Sequence, residues 1–300
     1  MLRLGRTPGR RFAIALAGVA LAAGSAGAYA AAAELSEEPS QAPRFAHVIL
    51  VVFENRSATQ VFSDPAATEF RALAERYATL GNYDAVAHPS LPNYLALVSG
   101  STDGFVSDCT YCVAAGPSLA DTLAAHSLTW KAYIEHLPRS GPRLHVPAVR
   151  ARIPFLYFRD VLRSRRRLRD IVPLATFGRD LRAGRLPDYS LVVPDLCHDM
   201  HNCSLSTGNR WLASFLRPLL GSPRLRGSVV FVVFDEAPRP QDQGGGGQVP
   251  AIVAGPVVRP DSATLDGLNH YSLLRTIEDA WGLPRLGLSA SAEPITGIWR

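Results

Sequence analysis

Unbroken apolar runs punctuate this chain at wide intervals. His47-Val48-Ile49-Leu50-Val51-Val52-Phe53 and Val229-Val230-Phe231-Val232-Val233-Phe234 are continuous β-branched and aromatic stretches. Leu191-Val192-Val193-Pro194 is a shorter one, and Pro250-Ala251-Ile252-Val253-Ala254 a weaker one. Runs without polar alternation fit strands buried on both faces of a parallel sheet. Between them, apolar positions recur at helical spacing. Ser118-Leu119-Ala120-Asp121 opens one segment like a capping box, Trp211 to Leu220 gives a second, and Tyr271 to Trp281 a third, stopped by Gly282 and Pro284. Strands alternating with helices predict an α/β fold with a mostly parallel central sheet, helices on both faces, and ligands beyond the carboxyl ends of strands. No internal repeat is visible. Gly244 to Gly247 reads as a mobile loop; no Gly-Lys-Ser/Thr follows it, so it is not a phosphate-cradling P-loop.

The polar residues that end these runs fall where that rule places a site. Glu54-Asn55-Arg56-Ser57 follows the first run, Asp195 to His201 follows the 191–194 run, and Asp235-Glu236 follows the 229–234 run. Glu54 and Asn55 would supply two hard oxygen ligands and Arg56 a bidentate grip on phosphate, although a plain strand-end turn reads the same way. Asp235 and Glu236 close a strand too apolar to carry unpaired charge cheaply, so they call for a cation. Asp199 and His201 are the metal-facing pair of the 197–203 loop, whose single close Cys pair lacks the second half of a zinc site. Asn269-His270 precedes the last helix.

His88-Pro89-Ser90-Leu91-Pro92-Asn93-Tyr94-Leu95 places a serine just ahead of a short apolar helix. A hydroxyl there can be ionised by a metal, with helix N–H groups stabilising the anion it attacks. The plainer reading of Ser90 is a helix cap. No Gly-x-Ser-x-Gly elbow surrounds it, which argues against an acyl-transfer triad. Oxygen and nitrogen ligands at successive strand ends, converging with a serine, are what metal-assisted phosphoryl transfer requires.

The 300 residues suit one large domain or two small ones. Arg3, Arg6, Arg10 and Arg11, the apolar stretch Phe12 to Ala23 and Ala28-Tyr29-Ala30 form the three regions of a signal peptide. An uncleaved anchor is the competing reading, but glycines break the apolar run, which is short for a span. The expected division is therefore a leader at 1–30, a flexible mature N-terminus at 31–44, and a catalytic domain at 45–300. Arg10-Arg11-Phe12 leaves the export route open between the general and the twin-arginine pathway. Removing the leader's four arginines takes the formal charge from +5 to +1, so global charge gives no case for nucleic-acid binding. An exported chain makes local disulfides the common outcome for Cys109 with Cys112 and Cys197 with Cys203, although four cysteines permit three connectivities. Arg159, Arg163, Arg165, Arg166, Arg167 and Arg169 form a basic run. A solvated helix face is its commoner reading, and a patch for peripheral contact with anionic membrane the sharper one.

With these motifs in view, the chain resembles the phosphoesterase family of bacterial acid phosphatases and phospholipases C, within the alkaline phosphatase superfamily. The likeness runs through His47–Ser57, His88–Thr102, Pro194–Ser204, Val232–Glu236, Pro250–Pro260, His270–Gly287 and the closing Pro294 to Trp299. It implies an alkaline phosphatase-like α/β fold and a secreted phosphomonoesterase acting through a phosphoserine at Ser90. Asn93, with Asn55 and Arg56, would contact phosphate. Glu54, Asn55, Asp235 and Glu236 would hold a divalent metal beside Ser90, completed by Asp199, His201 and His270. Asp235-Glu236 stands where the superfamily usually has Asp-His, which favours harder ions than a zinc pair. The implied substrate is a phosphorylated small molecule or a phosphoinositide such as phosphatidylinositol 3-phosphate. Carboxylate-rich ligation predicts an acidic to neutral optimum. The rivals are phospholipase C-type diester cleavage and a non-catalytic phosphate- or lipid-binding scaffold.

Overall fold

A computed structural model describes residues 41–137, 147–239 and 243–300. The expected leader and residues 31–40 of the expected flexible N-terminus lie outside the described residues. Ten strands follow in chain order: β1 (Val48–Phe53), β2 (Ala78–Leu80), β3 (Tyr83–Asp84), β4 (Trp130–Ile134), β5 (Ile171–Pro173), β6 (Tyr189–Val193), β7 (Val229–Phe234), β8 (Ala251–Ala254), β9 (Ser262–Thr264) and β10 (Leu268–Asn269). Eight of them form one sheet in the order β5-β4-β6-β1-β7-β8-β2-β9. The segment from β5 to β7 is parallel throughout, and β8 runs antiparallel to both β7 and β2. β3 and β10 make a separate parallel pair that sets Asn269 beside Asp84.

The unbroken apolar runs become the centre of the sheet. Every residue of β1, β6 and β7 is buried, as a strand covered on both faces must be. On one face Phe53 packs edge-on against Phe70 and Trp211, which come from helices Thr68–Arg76 and Leu205–Leu220, and stacks on Phe234. Helix Ser90–Ser99 is buried along its whole length, including its polar members, and packs against helix His270–Trp281. The capping box expected at Ser118 is present, with Asp121 accepting from the Ser118 N–H at 2.8 Å. Both close cysteine pairs are disulfides, Cys109–Cys112 and Cys197–Cys203. No helix of the described residues is long and apolar enough to cross a membrane.

The glycine run differs from its expected mobility. Ala85 donates to the Gly247 carbonyl at 2.9 Å, and Ala237 donates to that of Gly246 at 2.8 Å. A Cβ on Gly245 would meet the Val86 carbonyl at 2.3 Å, and one on Gly246 the Ala87 carbonyl at 2.5 Å. The run is glycine because backbone lies directly against backbone there. It buttresses the segment that leads into His88 and Ser90.

One buried carboxyl has a pH consequence for the fold. Burial raises Glu278 to about 7, although its bonds to Ser289 and Leu286 pull the other way. Glu278 Oε1 accepts from the Leu286 N–H at 2.9 Å, while Ser289 Oγ lies 2.5 Å from Glu278 Oε2 and 2.7 Å from the Leu286 carbonyl. A hydroxyl has one proton to give; if it goes to Leu286, a protonated Glu278 donates to Ser289 and closes the ring. The folded pKa is raised, so this contribution is complete below the ordinary glutamate range and is lost as pH rises through about 7. In Glu278→Gln the amide supplies the same donor and acceptor at every pH. Thermal unfolding between pH 4 and 8, in about single-unit steps, should show the native protein losing more stability than the variant across that window. Parallel curves would contradict this account of Glu278.

Candidate active site

Phe53 of β1 pairs with Phe234 of β7, and the Asp235 N–H donates to the Phe53 carbonyl at 3.0 Å. The first residue past each strand, Glu54 and Asp235, therefore leaves the same sheet edge. From the β6 side, the Glu54 N–H donates to the Asp199 carbonyl at 2.9 Å, drawing in the loop that the Cys197–Cys203 disulfide ties off. Asn55 has φ +53°, a conformation asparagine tolerates better than most residues. That turn aims its N–H at Asp235 Oδ1, 3.2 Å away, and sets its amide nitrogen 3.5 Å from Glu54 Oε2.

Ser90 reaches this edge as the first residue of its helix, after a cis His88–Pro89 bond and an extended Pro89. Its side chain does not cap the helix. Oγ lies 3.0 Å from Glu54 Oε2 and 3.4 Å from Glu236 Oε1, within a site from which water is largely excluded. Glu236 in turn pairs with His88 Nδ1.

Arg152 enters from a stretch with no periodicity of its own. Its Nε donates to Glu54 Oε1 at 2.7 Å and stands 3.0 Å from Asp199 Oδ2, with all three groups buried. Nε carries a single hydrogen, which goes to Glu54, so Asp199 Oδ2 is held there by charge rather than by that hydrogen bond.

Crowded carboxylates shift each other. Burial pushes Asp235 well above the usual range, and the charges of Glu54 and Glu236 add to it. Asp199 rises to about 8, first from burial and then from Glu54, with Arg152 opposing. Glu236 rises to about 7 from burial, with His88 opposing. Asp235 Oδ2 and Asp199 Oδ2 are buried without hydrogen-bond partners. A set of carboxylate oxygens with orphaned members and an excess of negative charge fits a divalent cation that prefers hard donors, such as magnesium, calcium or manganese.

The remaining expected residues occupy different positions. Burial lowers His270 to about 4, so its ring is neutral. Its Nε2–H donates to the Asp235 carbonyl at 2.7 Å and its Nδ1 accepts from the Tyr83 hydroxyl at 3.0 Å. It thus stands behind Asp235, fixing that residue's backbone. Asn93 is fully buried and spends its amide on the loop before Ser90: it accepts from Val86 and Ala87 at 3.0 and 3.1 Å, and donates to Ala87 and Pro89 at 2.8 and 3.2 Å. Arg56 directs Nη2 at the carbonyls of Met200 and Cys203, each 3.4 Å away. The His201 N–H donates to Asp199 Oδ1 at 2.8 Å, but its exposed ring turns to Asn202 Oδ1.

Arg152, Tyr83 and Asp108, and His88 of the serine motif, complete the site without having been among its expected functional residues. Asp108 accepts from the Leu91 N–H at 2.9 Å and so fixes the first turn of the serine helix. His88 was legible from its place beside Ser90; Arg152 carried no local signal.

A second cluster lies at the ends of β4 and β6, where ligand atoms of Glu135, His136 and Asp195 come within 4.8 Å of one another. It is internally paired. His136 Nδ1 lies 2.8 Å from Asp195 Oδ2, and His198 Nδ1 lies 2.9 Å from Glu135 Oε2, while the Trp211 indole donates to Glu135 Oε1 at 3.2 Å.

Comparison with known proteins agrees with this architecture. Among solved structures, an alkaline phosphatase superfamily protein from Vibrio parahaemolyticus matches 86% of this chain and 72% of its own, with a TM-score of 0.61 and 14% identity. The lipoteichoic acid synthase LtaP from Listeria monocytogenes matches 82% of this chain and 75% of its own, with a TM-score of 0.56 and 11% identity. These likenesses are of fold. In sequence, a phosphatidylinositol-3-phosphatase of Mycobacterium tuberculosis is 32% identical over 96% of this chain and 94% of its own length. A probable acid phosphatase of Kluyveromyces lactis is 30% identical over 86% of this chain, which spans 64% of that longer protein. The model of the Phosphoesterase family matches residues 51–284, from within β1 to just past the last helix. That span takes in Glu54, Ser90, Arg152, Asp199, Asp235, Glu236 and His270, and the chain belongs to the Phosphoesterase family.

Proposed function

We propose that this protein is a secreted, metal-dependent phosphomonoesterase that works through a phosphoserine at Ser90. The reaction class rests on the relatives: a phosphatidylinositol-3-phosphatase and several acid phosphatases match at about 30% identity, which makes the chain a phosphoric monoester hydrolase. The observation that carries the site assignment is the Ser90 hydroxyl. It opens a buried helix without capping it, and faces two carboxylates that can take its proton. Two disulfides suit an oxidising, extracytoplasmic setting.

In the first step Ser90 Oγ attacks phosphorus in line as the bond to the ester oxygen breaks, the hydroxyl proton passing to Glu236 and the departing oxygen taking a proton from water. Glu54, Asn55, Asp199, Asp235 and Glu236 would hold the divalent cation. Bound there, it lowers the pKa of the serine hydroxyl and offsets the charge on the phosphate oxygens. In the second step water attacks phosphorus and the Ser90–phosphate bond breaks. Glu236, oriented by His88, is within reach to return a proton to Oγ. Asn93 and His270 act as positioning residues, one shaping the approach to Ser90 and the other holding Asp235. Relatives that include a phosphatidylinositol-3-phosphatase support a phosphoinositide as substrate.

Phosphate release from an aryl phosphate monoester and from a bis-aryl phosphate diester, before and after chelation, tests this reading. Monoester turnover should exceed diester turnover, fall by about 100-fold or more on chelation, and return with magnesium, calcium or manganese. The same ion should raise the unfolding temperature of the chelated protein, because it offsets buried like charges. Unchanged turnover and melting after chelation would contradict metal dependence, and faster diester cleavage would move the assignment to the phospholipase C type.

A further inference from the structure

Residues 102–117 form a loop that lies beside the active site and exposes apolar side chains. Val106 is 85% exposed, Tyr111 83% and Val113 42%, three of the five large apolar side chains exposed among the described residues. The Cys109–Cys112 disulfide brackets Tyr111. The loop's acids face inward: Asp108 accepts from the Leu91 N–H at 2.9 Å, and Asp103 accepts from the Ala115 N–H at 3.1 Å. Its exposed residues, Gly104, Val106, Ser107, Tyr111, Val113 and Ala115 to Pro117, are uncharged and mostly apolar, and its root holds the residue next to Ser90.

Basic residues lie against this loop. Ala114 bridges to Phe158, donating to the Tyr157 carbonyl at 2.8 Å, and the Tyr157 hydroxyl donates to the Cys109 carbonyl at 2.8 Å. Those bonds fix the start of helix Arg159–Arg163 to the loop. Arg159 and Asp160 line a cleft together with Val113 to Pro117. Arg159 and Arg163 are exposed and lie four residues apart, on one side of the helix. Arg165, Arg166 and Arg169 are exposed just beyond, whereas Arg167 is paired with Asp121. The exposed Asp160 is the one acid among them from Arg159 to Arg169.

We propose that Val106, Tyr111 and Val113, flanked by Arg159 and Arg163, form a docking surface for an anionic lipid bilayer. Exposed apolar side chains beside guanidinium groups match an acyl boundary beneath negative headgroups. An aromatic ring with a polar tip suits that interface, as Tyr111 does. Docking would bring phosphate groups carried on lipid headgroups to the rim of the Ser90 site. That link to turnover rests on the hydrolytic reading above, whereas the docking itself does not.

Sedimentation of purified mature protein with two kinds of vesicle tests the proposal: phosphatidylcholine alone, and phosphatidylcholine with about one phosphatidylserine in five. Two double variants, Val106→Ser/Tyr111→Ser and Arg159→Ser/Arg163→Ser, are run beside it. The native protein should bind the phosphatidylserine vesicles about tenfold or more better than phosphatidylcholine alone, and less well as salt rises. Each double variant should lose about tenfold of that binding. Turnover of a soluble aryl phosphate, unchanged in both variants, controls for folding. Equal native binding to the two vesicle types, or binding retained by either double variant, overturns the proposal. Absence of soluble turnover in the native protein counts against the hydrolytic reading instead and leaves the vesicle result to stand by itself.

Discussion

Ser90→Ala is expected to lower kcat on an aryl phosphate monoester by about 10⁴-fold or more, with little change in thermal stability. The expected loss is large because, in the proposed mechanism, the hydroxyl oxygen forms the bond to phosphorus. Removing it leaves only binding and electrostatic contributions. The stability effect is small for a structural reason: Ser90 makes no cap bond, and the helix start is held by Asp108 on the Leu91 N–H and by Asn93 on the preceding loop. A cap mutation would show the reverse, costing about 1 kcal/mol of stability and leaving turnover near native. Steady-state kinetics and melting curves on the pair therefore separate the two roles. A turnover loss below about tenfold would remove Ser90 as nucleophile.

Arg152→Met is expected to destabilise the fold by about 3–5 kcal/mol. Methionine keeps much of the apolar stem and removes the charge. Glu54 and Asp199, both fully buried, would then face each other without their shared cation. Breaking one partner out of a buried pair costs more than the pair ever contributes, because the remaining charge is left in a poorly solvated place. Turnover should fall as well, since Glu54 would no longer be held where the Ser90 hydroxyl meets it. Added divalent ion should recover part of the lost stability by replacing the missing positive charge. Urea unfolding with and without the ion reads both effects. A variant as stable as the native protein would mean that Arg152 is dispensable to the buried charge balance.

The centre of the fold was legible because burial on both faces writes itself as unbroken apolar runs. β1, β7 and β8 each lie within an expected segment, and β6 overlaps one, beginning two residues earlier at Tyr189. β4 escaped notice because Lys131 interrupts it; its ammonium runs out to Asp180 on the neighbouring helix, an ion pair that no local pattern announces. β2, β5 and β9 are three residues each, too short for alternation to register. Helix Leu205–Leu220 begins six residues before the expected Trp211, its first turns being polar. The glycine run read as mobile because composition does not reveal that a neighbouring backbone lies against it.

In the site, strand ends told most of the story. Glu54, Asp199, Asp235 and Glu236 were readable as charges that close apolar runs, and parallel pairing then brings them to one edge. Residues that arrive from elsewhere in the chain were harder to see. Arg152 sits 98 positions from Glu54, and nothing in its local sequence marks it for burial between two acids. Side-chain direction was also hidden. The amides and rings of Asn93, His201 and His270 were the right types in the right neighbourhood, but whether each faces the reacting atoms depends on backbone bonds that form only in the fold.

The most direct measurement looks for the proposed covalent intermediate. The protein is mixed with an aryl phosphate and its preferred divalent ion, quenched in acid within the first turnovers, digested, and the peptides weighed. The account predicts one added phosphoryl group on the peptide containing Ser90, absent in Ser90→Ala and absent without substrate. Active enzyme that carries no such group, under conditions where phosphate release outpaces a single turnover and product release is shown not to limit it, would contradict a phosphoserine mechanism and point to direct attack by water.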